Sequence, residues 1–214
     1  MRLPLAAALL LAATSAQAME HHVDSPQWTR QYDESFQKYS KHFFGPFFDW
    51  RWFKAQAIVE SSLDPDAESP AGAVGVMQLK PSTFNEIRRA IPELRKIRHA
   101  TWNIAAAIYY DHYLYQRQAW SKLEHEERLQ FALAAYNAGP TGVLRAFNRT
   151  PPTVKSWAQV APNAPPETRR YVVRINAIRS GGSSARRTPA LRGVAAQFEA
   201  RRQAAARMRA SLID

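Results

Sequence analysis

Glu60 ends a mostly apolar stretch, residues 53–59, and is followed at once by a loop rich in Pro, Gly and Ser. Phe53, Ala57 and Glu60 are spaced i, i+4, i+7, so on a helix they share one face. A carboxyl group on an apolar face loses hydration when charged, which raises its pKa. A helix C-terminus disfavours negative charge as well. Both effects favour the protonated acid, the form a general acid needs. The competing reading is an ordinary solvated Glu at a helix end.

The loop that follows suits a neutral, polyhydroxylated ligand. Pro65 and Pro70 restrict the backbone, while Gly72 and Gly75 permit tight turns and close approach of a ligand. Ser61, Ser62, Ser69 and Gln78 offer uncharged donors and acceptors, as a sugar requires. The glycine spacing matches neither a phosphate loop nor a dinucleotide fingerprint. Most glycosidases use two carboxylates. Asp64, Asp66 and Glu68 lie in or beside the Pro-rich loop and read as caps or solvated charge, so one catalytic acid is expected. The chain has no cysteine, which excludes disulfides, thiol nucleophiles and thiolate metal sites. Its six histidines are scattered, so neither a metal nor another cofactor is expected.

Glu60-Ser61-Ser62, Asp64-Pro65, Ala67, Ser69, Gly72-Ala73, Gly75 and Met77-Gln78 together resemble the signature of the soluble-lytic-transglycosylase (SLT) domain family. Ala135-Tyr136-Asn137-Ala138-Gly139 resembles that family's second motif, and Glu167-Thr168-Arg169-Arg170-Tyr171-Val172 its third. The resemblance runs from about residue 32 to residue 178. It implies a mainly α, lysozyme-like helical domain with a catalytic groove, related to goose-type lysozymes. It also implies a peptidoglycan lytic transglycosylase that cleaves the β-1,4 bond from N-acetylmuramic acid to N-acetylglucosamine. In that reaction Glu60 protonates the leaving oxygen. The resulting carboxylate then takes the proton of the muramic C6 hydroxyl, which closes on C1 to leave a 1,6-anhydro end. Ser69, Met77, Gln78, Tyr136, Asn137, Glu167 and Tyr171 are the substrate-binding residues the resemblance implies. From spacing alone Tyr136 and Asn137 read equally as a helix cap and as groove residues. Tyr171 reads either as a partner of Glu60 or the sugar, or as a core tyrosine.

The elements that must hold these residues are helical. Tyr32, Phe36 and Tyr39 form a stripe, and Gly45-Pro46 should turn among Phe43, Phe44, Phe47 and Phe48, aromatics that read as core before sugar platform. Asp49 is placed to cap the helix of Glu60, and Asp64-Pro65 to end it. Pro81 opens a helix with Phe84 and Ile87, and Pro92 closes it. Thr101 or Asn103 should cap a helix bearing Ile104, Ala107, Ile108 and Tyr115. Leu129, Leu133 and Tyr136 mark another helix, closed by Gly139-Pro140. The Pro-rich stretch before Pro166 reads as a surface loop anchored by Trp157. Tyr171, Ile175 and Ile178 mark a last helix. No alternating strand pattern and no repeat is present.

The expected organisation is a signal peptide at 1–18, an aromatic helical segment at 19–49, a catalytic domain at 50–179, and a linker with a basic tail at 180–214. Arg2, the short apolar run after it and Ala16-Gln17-Ala18 carry the first of these, so export to the periplasm or beyond is expected, without a lipid anchor because no cysteine follows. The 214 residues carry a formal net charge of +11, which favours anionic partners. Peptidoglycan strands are the partner expected; no nucleic-acid motif accompanies the charge. The tail reads first as solvated, and second as a basic amphipathic segment for an anionic envelope surface or a protein partner. Two other readings stay open: a hydrolytic goose-type lysozyme, and a non-catalytic peptidoglycan-binding module.

Overall fold

The helix carrying Glu60 runs through the middle of the molecule, and its neighbours are arranged around it. The structure, a computed structural model, describes residues 22–151 and 156–181. The expected signal peptide and all but the first two residues of the linker and tail lie outside the described residues. Eight α-helices are present among those described: α1 (Asp33–Phe44), α2 (Arg51–Ser61), α3 (Pro81–Ala90), α4 (Ala100–Tyr115), α5 (His125–Ala138), α6 (Pro140–Arg149), the single turn α7 (Trp157–Val160) and α8 (Pro166–Ser180). Short 3-10 turns occupy Gln118–Trp120 and Ala161–Asn163. The described residues contain no strand, only two isolated bridges, Glu68 to Val74 and Val74 to Leu79.

α2 is less one-sided than its spacing suggests. Every residue from Trp52 to Ile58 is buried, so the helix is wrapped on all sides. Burial extends to Lys54, whose Nζ lies 2.7 Å from Asp33 Oδ1 and ties α2 to α1. A charge that deep is tolerated only because it is paired. Trp50, not Asp49, holds the N-cap position of α2; Asp49 lies one residue ahead, where its Oδ1 accepts from the Arg51 N–H at 3.1 Å. The other end differs from expectation too. α2 stops at Ser61, four residues before Pro65. Ser62 and Leu63 take left-handed conformations, at φ 57° and 67°, and the Ser62 N–H closes on Ile58 O at 3.0 Å. Two such residues cost roughly 1–3 kcal/mol each. Burying the Leu63 side chain, 3% exposed, offsets part of that.

α8 lies antiparallel to α2, and two contacts fix the register. Arg179 stacks its guanidinium on the Trp52 ring at 3.9 Å and bonds Asp49 at 3.2 Å. Eight residues along each helix, Tyr171 meets Glu60. The equal spacing follows from equal rise per residue in both helices. α4 and α5 supply some of the core's most deeply buried side chains: Ile104, Ile108, Leu129, Phe131 and Leu133 are all fully buried. The aromatic cluster packs on this core as expected, Phe44 lying 5.2 Å from Phe53 and 4.4 Å from Phe48; Phe47 alone is exposed, at 68%.

Two other expectations are corrected. Asn103 does not cap α4, which starts at Ala100 behind His99; it lies inside the first turn and is fully buried. Between Gly139 and the Pro-rich loop lies α6, a helix that the sequence reading did not mark. Gly139 turns with φ 73°, and Pro140 starts the new helix at its first position, where its missing N–H costs nothing. Trp157 is buried as an anchor should be, but within the turn α7.

Candidate active site

Glu60 sits in the last turn of α2 and lines a cleft of about 300 Å³. Val59 and Glu60 form one wall, Asn137 at the end of α5 another. Glu167, Arg170, Tyr171 and Arg174, on the first three turns of α8, form the third. The Tyr171 hydroxyl donates to Glu60 Oε1 at 2.5 Å. Thr168 donates to Asn137 Oδ1 at 2.7 Å, which locks the end of α5 to the start of α8.

The loop over α2 is held by a dense set of bonds. Ser61 Oγ donates to Val76 O at 2.7 Å. Asn103 accepts from the Met77 N–H at 2.8 Å and donates to Val74 O and Ile97 O, both at 3.0 Å. Tyr136 donates its hydroxyl to Met77 O at 2.7 Å. Gln78, left-handed at φ 47°, donates to Ala67 O at 3.1 Å and Gly75 O at 3.0 Å. Ser69 Oγ accepts from the Ala73 N–H at 3.0 Å. Gly75 is required where it stands: at φ 80° a Cβ there would lie 2.8 Å from Asn103 Nδ2.

The residues singled out in the sequence therefore fall into two groups. Glu60, Asn137, Glu167 and Tyr171 converge on one cleft. Ser69, Gln78 and Tyr136 spend polar atoms on the loop, and Met77, its side chain fully buried, lends its main chain to the same network. Arg170 and Arg174 as cleft residues, and Asn103 as the loop's brace, were not foreseen from the sequence. Nor was Asp111, a fully buried acid whose Oδ1 accepts from Gln56 Nε2 at 3.4 Å, one turn before Glu60 on α2. An Asp inside the apolar run of α4 was the available signal.

Burial is the main influence on the Glu60 carboxyl and pushes its pKa up to about 7 from 4.5. The Tyr171 hydrogen bond pulls the other way, because it stabilises the carboxylate, and the negative charge of Glu167 adds a smaller upward push. Burial also raises Asp111 well above the usual carboxylate range. Tyr136 and Tyr171 are both pushed upward by burial and by the charge of Glu60, so they remain neutral donors. The site thus holds a carboxylic acid that is half protonated near neutrality. Tyr171→Phe removes the hydrogen bond that holds the Glu60 pKa down, so the alkaline limb of any Glu60-dependent rate should move to higher pH. A pH–rate profile of the variant beside the parent checks this; an unmoved or lowered limb contradicts it.

Residues 46–157 match the Transglycosylase SLT domain family. The chain is 33% identical over 141 residues to the membrane-bound lytic murein transglycosylase F of Haemophilus influenzae, covering 63% of this chain and 26% of that protein. It is 29% identical over 172 residues to the soluble lytic murein transglycosylase of Salmonella typhimurium, covering 78% of this chain and 25% of that protein. Among solved structures, the 70 kDa soluble lytic transglycosylase of Escherichia coli superposes with a TM-score of 0.51 at 26% identity, over 71% of this chain and 24% of that one. The chain therefore spans about a quarter of the length of these relatives.

Proposed function

This chain belongs to the transglycosylase SLT family, and we propose that it is a peptidoglycan lytic transglycosylase with Glu60 as its single catalytic acid. The observation that carries the reading is the Glu60 carboxyl itself: largely enclosed, raised to about 7, hydrogen-bonded to Tyr171 and open to a cleft. Protonated, it donates to the glycosidic oxygen as the bond from muramic C1 breaks. The substrate's N-acetyl carbonyl stabilises the anomeric carbon. The Glu60 carboxylate then removes the proton from the C6 hydroxyl as O6 bonds to C1, and Glu60 is again an acid. No water enters, and the products are a 1,6-anhydromuramyl end and a free N-acetylglucosaminyl hydroxyl.

Tyr171 serves this cycle by stabilising the carboxylate between the two proton transfers. Asn137, Glu167, Arg170 and Arg174 meet the glycan from the cleft walls. Ser69, Met77, Gln78 and Tyr136 act on the substrate through the shape of the loop they hold. The catalytic domain takes in α8, beyond the family match, because α8 carries Tyr171. The work is done on the cell wall, outside the cytoplasm; among the described residues no helix is long and apolar enough to cross a membrane.

Glu167 favours one second reading. It is another carboxylate in the same cleft, and a hydrolase needs a pair. Digestion of purified sacculi followed by mass spectrometry separates the two. The transglycosylase yields muramyl ends lighter by one water and resistant to borohydride. Reducible muramyl ends would establish a lysozyme-type hydrolase instead.

A further inference from the structure

One turn before Glu60 on α2, Gln56 meets Asp111 of α4, and both side chains are completely buried. Neither lines the cleft. Gln56 Nε2 donates to Asp111 Oδ1 at 3.4 Å. The second atom of each group, Gln56 Oε1 and Asp111 Oδ2, is buried without a hydrogen-bond partner. Buried polar atoms are nearly always paired, so two orphans on two groups already in contact need an explanation. An ionised Asp111 supplies none, because a carboxylate oxygen and an amide oxygen are both acceptors. One proton on Oδ2 resolves both. It makes Oδ2 a donor, and Gln56 Oε1 is the acceptor such a donor needs. The planar carboxyl and amide groups then face each other through two reciprocal hydrogen bonds.

The balance of charge leads to the same state. Lys54, also buried in α2, is neutralised by Asp33 at 2.7 Å. No ion pair among the described residues includes Asp111. The ionisable groups that act on it or feel its charge come from four helices: Glu60 on α2, Tyr110 on α4 itself, Tyr136 on α5 and Tyr171 on α8. None of them is a cation, so none compensates a second negative charge in the core. Burial, with a smaller push from the charge of Glu60, accordingly favours the neutral acid over the opposing Gln56 hydrogen bond.

We propose that Asp111 is a protonated positioning residue, joined to Gln56 by a reciprocal pair of hydrogen bonds that fixes the Glu60 turn of α2 against α4 without adding a charge to the catalytic centre. This rests on the role given to Glu60. Gln56 and Glu60 stand at i, i+4 and share a face of α2, so whatever holds Gln56 also sets the direction of Glu60. Neutrality serves the cycle as well. Glu60 must exist as a carboxylate between its two proton transfers, and a second carboxylate nearby would oppose that state.

The test uses the full chain and reads charge and positioning separately. Carbon-13 NMR with labelled aspartate, the Asp111 signal being identified by its loss in Asp111→Asn, should find a carboxyl that stays protonated between about pH 4 and pH 8, where a hydrated aspartate is ionised. Asp111→Asn is neutral and still turns a donor and an acceptor towards Gln56, so the alkaline limb of cleavage on a soluble glycan strand should not move. Asp111→Leu strands both polar atoms of Gln56. Its kcat should fall at least about tenfold with KM little changed, and the Asn variant should recover most of that loss. An Asp111 signal that ionises within this range would overturn the proposal. So would a limb that drops in Asp111→Asn, the sign of a negative charge removed, or a parental kcat in Asp111→Leu. Where Asp111→Leu does not fold, the titration and the limb of Asp111→Asn still decide. A different bond chemistry at Glu60 would appear in the products of digested sacculi and leave the Asp111 titration as it is.

Discussion

Glu60→Gln removes strand cleavage while leaving the fold intact. Glutamine keeps the shape and keeps an oxygen for the Tyr171 hydroxyl, now 2.5 Å from Glu60 Oε1. It has no acidic proton to give and, as an amide, cannot take one back. General acid–base catalysis contributes about 10²- to 10⁴-fold, so the rate of release of soluble muropeptides should fall by at least that range. In the proposed cycle one residue serves both proton transfers, so Glu167, the other carboxylate of the cleft, should not restore the rate.

The same substitution should raise stability at alkaline pH. The folded-state pKa of Glu60 is raised, from 4.5 to about 7, so the folded chain holds the proton longer than the unfolded one. Stability from this group is complete below pH 4.5 and is lost as pH rises to 7. Above that, ionising Glu60 costs the fold roughly 3 kcal/mol, since each pH unit between the two values is worth about 1.4 kcal/mol. Gln carries no such cost. Chemical denaturation should find parent and variant similar at about pH 4 and the variant more stable at about pH 8. A variant that stays active, or is the less stable under alkaline conditions, contradicts the role given to this carboxyl.

Asn103→Ala should be the most damaging substitution away from the cleft. It strands the Met77 N–H and the Val74 and Ile97 carbonyls, all bonded to one buried amide. Unsatisfied buried groups cost about 1–3 kcal/mol each, so a loss of roughly 3–5 kcal/mol is expected. Asn103→Asp should do no better, since it turns a carboxylate oxygen towards two carbonyls. Activity should fall too, because Met77 O anchors Tyr136 and the loop covers the end of α2. Denaturant unfolding and turnover on the same preparation check both; a loss below about 1 kcal/mol would mean the loop is held by other means.

Glu60 was legible in the sequence because an acid on an apolar face is physically odd, and oddness survives in one dimension. Tyr171 was legible from its place in a helical stripe together with the third motif. Arg170 and Arg174 were not, since arginines on the outer face of a helix look the same whether they face solvent or a cleft. Asn103 read as a cap because Asn near a helix start usually is one. Its partners Met77 and Val74 lie 26 and 29 residues away, and no local pattern encodes them. The left-handed Ser62 and Leu63 were hidden for a related reason. Neither is a glycine, and their conformation is imposed by packing. α6 was masked by the prolines around it, although Pro140 is a helix-starting residue.

Carbon-13 NMR of the Glu60 side-chain carboxyl, followed across pH on the folded chain, addresses the central claim most directly. The carboxyl should titrate with a midpoint near 7, coinciding with the alkaline limb of the cleavage rate. A midpoint near 4.5, the value of a freely hydrated glutamate, would leave the cleft without a proton donor at neutral pH.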